Sequence, residues 1–306
     1  MAILLVDAGG TITSRPGAQG ALVGREAGDT SEGDEALPWS GLGDIIVTRA
    51  YGGLSENMDF ADMAAVARAV LDGQARPEIE AIVVAHGTDT MEECAFFTDL
   101  VVDGSKAVVF TGAQRSPDAQ GFDGVDNLRA AIATARHPGA AALGVMIVFA
   151  GRILPAAQAY KAHTTQLAGF DAHDGNAGQV LDGQITLPQP ARRLPRLRLA
   201  TPGDDVALLK LGAGMSPRAL QALAGAGYDG IVIEAFGRGN ASDAMCEAIA
   251  QLCAAGTTIA LGTRCTGGGV EPDYDSGLRM MQAGALSCGQ LPAVQYRIWL
   301  SLQRAQ

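Results

Sequence analysis

The chain has 306 residues, of which 48% are hydrophobic and 18% are charged, a balance typical of a globular protein with a substantial core. Lys and Arg number 22 against 33 Asp and Glu, so the formal net charge at pH 7 is −11. This negative charge argues against nucleic acid and anionic membranes as partners. No apolar run is long enough to span a bilayer.

The N-terminus and the cysteines indicate the compartment and the redox chemistry. The N-terminus lacks a basic segment followed by a long apolar stretch, so we predict a cytoplasmic protein without a signal peptide. The five cysteines form no C-x-x-C pair, which favours free, buried thiols over a disulfide framework or a zinc site. The four histidines show no ligand spacing either, and we predict neither a metal ion nor a cofactor.

Short apolar runs alternate along the chain with alanine-rich stretches. Strands are predicted near residues 3–6, 45–48, 79–85, 107–111, 143–149, 206–210, 230–234 and 257–261. Helices are predicted over residues 60–72, 91–101, 123–136, 217–226 and 242–255. This alternation is typical of α/β layers with mostly parallel sheets.

Two segments interrupt this alternation. Residues 14–41 are rich in glycine and acidic residues with almost no apolar pattern, which predicts a mobile loop. Residues 188–204 contain several prolines and arginines and are predicted to link an N-terminal domain (1–187) to a C-terminal domain (205–306). A basic surface loop is the alternative for that segment.

Three segments carry reactive side chains at or shortly after the ends of predicted strands. They are D-A-G-G-T-I-T at 7–13, H-G-T-D-T-M-E-E at 86–93 and Y-K-A-H-T-T at 160–165. In the second, Thr90 and Glu93 have the spacing of a capping box, which predicts a helix start. Thr88 and Asp89 are therefore expected at the C-terminal end of a strand, beside the positive end of a helix.

Each candidate also has a purely structural interpretation. Thr88 and Asp89 could simply cap the helix, Thr11 could satisfy local backbone groups, and Lys161 could be a solvated surface lysine. Together the three segments favour a catalytic site, because a threonine hydroxyl needs a nearby base before it can act as a nucleophile.

The three motifs, in this order and at these separations, resemble those of the bacterial-type L-asparaginases, including the asparaginase-glutaminases. The resemblance continues through G-A-Q-R-S at 112–116 and G-Y-D-G-I-V at 227–232 and spans nearly the whole chain. It implies a larger N-terminal and a smaller C-terminal α/β domain, with residues 14–41 as a flap over the substrate. It also implies hydrolysis of L-asparagine to L-aspartate and ammonia through a threonine nucleophile.

The resemblance assigns catalytic roles to four side chains. Thr11 matches the threonine that is generally taken to attack the amide and form an acyl-enzyme. Thr88, Asp89 and Lys161 match a triad in which the lysine accepts or relays a proton while the aspartate orients it.

A fourth segment, L-S-E-N-M at 54–58, resembles the element that holds the charged head of the substrate. Ser55 would bind the α-carboxylate and Glu56 the α-ammonium group, with Gly87 also in the binding site. Glutamate at position 56 occurs in relatives that accept glutamine, which motivates a hypothesis of dual specificity. The alternative is that Ser55 caps a helix that starts near Asp59.

The resemblance also implies an oligomer and includes one departure. An asparagine and a glutamate from a neighbouring subunit complete the family's site, and Asn240 and Glu271 match them, which implies at least a dimer and a tetramer by analogy. Both could equally be surface loop residues. Ala21 lies where the family's flap has a tyrosine, and the loss of that phenol predicts a slow enzyme.

Two alternatives to an active amidohydrolase follow from the same residues. The D-A-G-G-T turn also resembles the phosphate-binding turn of actin-fold sugar kinases, although that interpretation leaves the second and third motifs unexplained. The missing phenol also allows a catalytically weak or inactive relative that binds an amino acid.

Overall fold

The computed structural model describes residues 1–13, 15–16, 22–23, 39, 41–191 and 193–306. The predicted flap at 14–41, including Ala21, falls almost entirely outside these residues. Contacts within the chain define two compact units, Met1–Leu199 and Ala200–Gln306. The assignment of 188–204 as a linker stays a prediction, and within this segment the Leu197 N–H donates to the Leu100 carbonyl at 2.8 Å.

The described part of the first unit contains twelve strands. They are β1 (Ala2–Ala8), β2 (Arg15–Pro16), β3 (Leu22–Val23), β4 (Ile45–Arg49), β5 (Ile79–His86), β6 (Val108–Thr111), β7 (Val145–Phe149), β8 (Arg152–Pro155), β9 (Ala159–Lys161), β10 (Phe170–Ala172), β11 (Gly178–Leu181) and β12 (Gln184–Thr186). Eight of these described strands form one sheet in the order β12-β11-β8-β7-β6-β5-β1-β4, while β2 pairs with β3 and β9 with β10.

Strands β4, β1, β5, β6 and β7 run parallel, whereas β8, β11 and β12 continue the sheet in antiparallel pairings. Strand β1 has β4 on one side and β5 on the other, with Ala8 level with His86. The chain therefore changes direction across the sheet between β1 and β5. In open α/β sheets such a switch point opens a crevice at the carboxyl ends of the strands.

Three α-helices in the described part of the first unit cover its sheet. They are α1 (Phe60–Gln74), α2 (Met91–Asp99) and α3 (Gly124–Ala135). Helix α1 begins with a capping box between Asp59 and Asp62. The capping box predicted at Thr90 is wrong. Among the described residues the Thr90 side chain caps no helix N–H, and its hydroxyl donates to the Ser55 carbonyl at 2.9 Å.

The second unit, all of whose residues are described, is built on a parallel sheet in the order β13-β14-β15-β16, covered by helices on both faces. Its strands are β13 (Val206–Lys210), β14 (Gly230–Ala235), β15 (Thr258–Thr263) and β16 (Leu286–Ser287). Its helices are α4 (Arg218–Gly225), α5 (Asp243–Ala254), α6 (Asp275–Gln282) and α7 (Ala293–Arg304). The predicted α/β class with mostly parallel sheets is confirmed.

The eight predicted strands and five predicted helices all occur, but the prediction omitted several elements. The missing ones are the strands β2, β3, β8 to β12 and β16 and the helices α6 and α7. These strands have only two to four residues each, too few for an alternating pattern to stand out.

Two further predictions concern cysteines and membrane spans. All five cysteines are described and are free thiols. Cys94, Cys246 and Cys288 are buried as predicted, whereas Cys265 is exposed. No helix in the described part of the chain is both long enough and apolar enough to span a bilayer.

We predict that the parallel core of the first unit determines its stability. Leu5 in β1 is fully buried, whereas Leu181 in β11 is 59% exposed. Leu5→Ala should lower the free energy of unfolding by about 3 kcal/mol, because it removes buried methyl groups and leaves a cavity. Leu181→Ala, the matched control, should change it by less than about 0.5 kcal/mol. Urea unfolding followed by circular dichroism measures both, and equal losses would contradict this assignment of the core.

Candidate active site

The turn after β1 is held by a buried carboxylate. Asp7 is 2% exposed, and its Oδ1 accepts the Gly9 N–H at 3.0 Å while its Oδ2 accepts Arg49 Nε at 3.1 Å. Gly9 and Gly10 follow with φ of +71° and +83°, a conformation that glycine adopts without steric cost. The turn delivers Thr11, half-buried, at the start of a short 3₁₀ turn.

The turns after β1 and β5 touch through their glycines. A Cβ on Gly10 would lie 2.2 Å from the Gly87 Cα, and a Cβ on Gly87 would lie 2.5 Å from the Ser55 Oγ. Neither position therefore has room for a side chain. Because Thr11 follows Gly10 and Thr88 follows Gly87, this one contact places both threonines beside the level carboxyl ends of β1 and β5.

Lys161 joins this group from the end of β9. Its Nζ donates to Thr88 Oγ1 at 2.8 Å and to Asp89 Oδ1 at 2.5 Å. Thr88 is only 7% exposed, and the side chain of Lys161 is 19% exposed and that of Asp89 55% exposed. A pair with so exposed a carboxylate contributes little stability, so its main effect is to orient the amine beside the hydroxyl.

Glu92, which the sequence analysis did not select, contacts the same lysine. Its Oε1 accepts the Lys161 backbone N–H at 3.2 Å. Burial raises the pKa of Glu92 to about 7, and hydrogen bonds from the backbone N–H groups of Glu92 and Lys161 oppose the rise. Repulsion from Glu93 adds to the rise and the Lys161 charge opposes it, both with smaller effects. The only sequence signal was the position of Glu92 two residues after Thr90, at the start of α2.

Ser55 lies under the loop that carries Thr88 and Asp89. It is buried, and its Oγ accepts the Asp89 N–H at 3.1 Å, so the hydroxyl proton can be donated to another group. The alternative in which Ser55 caps α1 is wrong, because the Asp59 carboxylate caps that helix. Glu56, the next residue, is exposed.

The loop after β6 supports the segment beyond Lys161. The sequence analysis did not predict this contact either. The carboxylate of Asp123 accepts the backbone N–H groups of Gln114 and Arg115 at 2.9–3.1 Å. Gln114 Nε2 in turn donates to the Thr164 carbonyl at 2.6 Å. Gln114 and Arg115 were noted only as part of the G-A-Q-R-S segment, since neither residue type indicates a loop contact by itself.

Asn240 and Glu271 belong to the second unit. Asn240 pairs with Phe236 through two backbone hydrogen bonds, and its Oδ1 accepts the Ser276 hydroxyl at 3.3 Å. Glu271 is exposed and pairs with Arg238 at 2.9 Å. Their contribution to a neighbouring subunit's site stays a prediction.

His86, the last residue of β5, is fully buried beside the site. Its Nδ1 lies 2.7 Å from the Gly87 carbonyl, and burial lowers the pKa of the imidazole to about 4. The ring is therefore neutral near pH 7 and supports the turn through its Nδ1–H. The described residues contain no cluster of three or more His, Cys, Asp or Glu side chains able to hold a metal ion.

Both units match one family of known proteins. Residues 2–193 match the family model described as Asparaginase, N-terminal, and residues 205–306 match Glutaminase/Asparaginase C-terminal domain. The L-asparaginase of Bacillus licheniformis is 31% identical over 281 residues, covering 89% of this chain and 85% of that protein. A Deinococcus radiodurans protein described as "Probable L-asparaginase" is 33% identical over 315 residues, covering 97% and 91%.

The chain therefore belongs to the asparaginase family, and the prediction of an asparaginase-family enzyme is confirmed. A crystal structure described as "Probable Cytoplasmic L-asparaginase" from Campylobacter jejuni superimposes with a TM-score of 0.85 at 24% identity. The match covers 100% of this chain and 95% of that one. It confirms the predicted fold, a larger mostly parallel N-terminal domain followed by a smaller C-terminal one.

The contact between Gly10 and Gly87 predicts which glycines the site requires. Gly183 has a φ of +76°, close to that of Gly10, but an added Cβ would meet nothing within 4 Å. Gly183→Ala should therefore cost only the backbone penalty of about 1–2 kcal/mol. Gly10→Ala should cost at least about 3 kcal/mol, because the methyl group must also push Gly87 away. Chemical denaturation compares the two variants, and equal costs would contradict the close contact.

The buried His86 predicts a loss of stability in acid. The pKa is about 4 in the folded chain and near 6.5 in the unfolded chain, so between these values the unfolded chain binds more protons. His86 should therefore stabilise the fold less as the pH falls, by about 2 kcal/mol between pH 7.5 and pH 5.

Urea unfolding at both pH values isolates this contribution of His86. The difference in unfolding free energy between wild type and His86→Gln should shrink in acid. His137→Gln, a change at a half-buried position on another loop, serves as the control. A His86 difference that is independent of pH would refute the buried neutral imidazole.

Proposed function

We propose that this protein is an L-asparaginase that hydrolyses the side-chain amide of L-asparagine to L-aspartate and ammonia, with a threonine nucleophile and no cofactor. The observation that carries the proposal is the Lys161 amine within hydrogen-bonding distance of both Thr88 and Asp89. Membership of the asparaginase family and the names of the relatives support it.

In the proposed first step the Thr11 hydroxyl attacks the side-chain carbonyl carbon of asparagine. The new C–O bond forms as the hydroxyl gives up its proton, and the C–N bond then breaks. The departing nitrogen takes up one proton and leaves as ammonia, which produces an acyl ester on Thr11. Lys161 relays protons beside the reacting groups, and Asp89 keeps the Lys161 amine oriented towards Thr88.

In the second step water attacks the acyl ester. The ester C–O bond breaks, aspartate leaves, and Thr11 regains its proton. Thr88, buried and bonded to the Lys161 amine, is the group proposed to orient this water or its proton. The crevice at the carboxyl ends of β1 and β5 suits this chemistry, because hydroxyl, amine and carboxylate groups converge there.

The proposed substrate grip uses the turn at 55–57. The Ser55 hydroxyl proton can be donated to the α-carboxylate of the substrate, since its oxygen already accepts the Asp89 N–H. The exposed Glu56 carboxylate would pair with the α-ammonium group, and Gly87, whose missing side chain makes room for Ser55, would contribute backbone groups to the binding site. With glutamate at position 56 we further propose that L-glutamine is a second substrate.

We also propose a cytoplasmic homo-oligomer, a dimer or tetramer, in which Asn240 and Glu271 of one subunit complete the site of another. The small amide substrate is the one other partner proposed, with neither nucleic acid nor membrane involved. Membership of the asparaginase family argues against the sugar-kinase alternative. The turn after β1 also argues against it, because the Asp7 carboxylate already accepts hydrogen bonds from the Gly9 N–H and Arg49 Nε.

Steady-state ammonia release from asparagine and glutamine, without ATP, tests the proposal. Thr11→Ala, Thr88→Ala and Lys161→Met should each lower kcat by at least about 100-fold, because each removes a nucleophile or a proton-transfer group. Thr186→Ala, at an exposed position in β12, is the matched control and should keep the wild-type rate.

Three results would contradict parts of this proposal. Wild-type rates in the Thr11 and Thr88 variants would contradict the proposal that a threonine is the nucleophile. Tight asparagine binding by calorimetry without any ammonia release would instead favour the inactive amino-acid-binding alternative, which the missing flap tyrosine motivates. A glutaminase rate thousands of times below the asparaginase rate would contradict the proposal that L-glutamine is a second substrate.

A further inference from the structure

In the hairpin of β9 and β10, the backbone N–H of Lys161 has no acceptor on the paired strand. Lys161 is level with Phe170, and the next residue, Ala162, donates its N–H to the Gly169 carbonyl at 2.7 Å. In an antiparallel pair the hydrogen-bonded positions alternate with positions that face outward. The Lys161 N–H therefore points away from β10, at an edge that needs another acceptor.

Glu92 supplies that acceptor from helix α2. Its Oε1 accepts the Lys161 N–H at 3.2 Å. Glu92 is the second residue of α2, and Thr88 and Asp89 lie in the loop immediately before that helix. One hydrogen bond thus joins the strand that carries the amine to the segment that carries its two partners.

We propose that Glu92 is a positioning residue that keeps the Lys161 amine within reach of Thr88 and Asp89, and that its ionisation state controls how firmly the amine is held. Its role in turnover rests on the proposed amidohydrolase function, whereas its effect on geometry does not.

The surroundings of Glu92 argue against a purely stabilising role. Its second oxygen, Oε2, is buried and has no hydrogen-bond partner among the described residues, which costs free energy. An apolar side chain would avoid that cost but could not hold the Lys161 N–H. The carboxyl group therefore fits a requirement for an acceptor of the Lys161 N–H.

The ionisation of Glu92 gives the proposal a pH dependence. The charged groups whose fields reach it are Lys161 on β9 and Glu93 on its own helix, and burial raises the pKa to about 7. Above this pH the carboxylate accepts the Lys161 N–H as a charge-assisted bond, and below it the neutral acid accepts more weakly. We therefore expect kcat to rise with pH through about 7.

Three variants of the full chain separate these effects. Glu92→Gln keeps an oxygen for the Lys161 N–H but cannot ionise, and Glu92→Ala loses the acceptor. Glu80→Gln is the matched control, since the Glu80 carboxylate instead accepts Arg136 Nε at 2.7 Å. Measuring kcat and KM for asparagine from pH 5.5 to 8.5 compares them.

We expect Glu92→Ala to lower kcat about tenfold or more at pH 8, with KM changed less than about twofold, because a small displacement of a catalytic group is costly. Glu92→Gln should keep kcat within about threefold of wild type, since its amide oxygen holds the lysine, yet lack the inflection near pH 7. Glu80→Gln should follow wild type throughout.

A wild-type kcat in Glu92→Ala, or an inflection that persists in Glu92→Gln, would overturn the proposal, and Glu92→Gln decides alone if the alanine variant does not fold. A wild-type protein that releases no ammonia would instead defeat the proposed function. In that case crystal structures of the Glu92 variants still decide the inference. It fails if Lys161 Nζ keeps its 2.8 Å hydrogen bond to Thr88 Oγ1 without the acceptor.

Discussion

The close contact between the backbones of Gly10 and Gly87 is the constraint on which the site depends. Parallel pairing of β1 with β5 brings the ends of the two strands level, and the absence of both side chains lets the following turns touch. Thr11 and Thr88 are separated by 77 positions in sequence (88 − 11), yet each is the next residue after one of the two touching glycines. A larger residue at either glycine would separate the two hydroxyl-bearing turns.

Around this contact, side-chain acceptors hold the backbone of each functional loop. The Asp7 carboxylate accepts the Gly9 N–H, and the Ser55 hydroxyl oxygen accepts the Asp89 N–H. Such bonds fix a loop more firmly than an exposed ion pair does, because solvent screens the latter. The candidate catalytic side chains are thus held by buried polar groups outside the proposed reaction steps, a division common in preorganised sites.

How much could be predicted from the sequence differs between elements. Long apolar strands such as β5 and the regular helix α1 were predicted, since their patterns extend over many residues. The capping box at Thr90 failed because the hydroxyl is turned towards the Ser55 carbonyl, 35 positions away in sequence, to which it donates, and it accepts no N–H of α2. Glu92 was missed because only the register of a short hairpin directs the Lys161 N–H towards it.

The sequence by itself determined the family, the α/β class and the identity of the candidate site residues, because glycine turns and hydroxyl-bearing motifs are local patterns. Only the tertiary structure decided which of these turns meet and which buried groups support them. The reason is that strand order and register bring together residues far apart in the chain, as Lys161 and Thr88 are. No pattern within one segment contains that information.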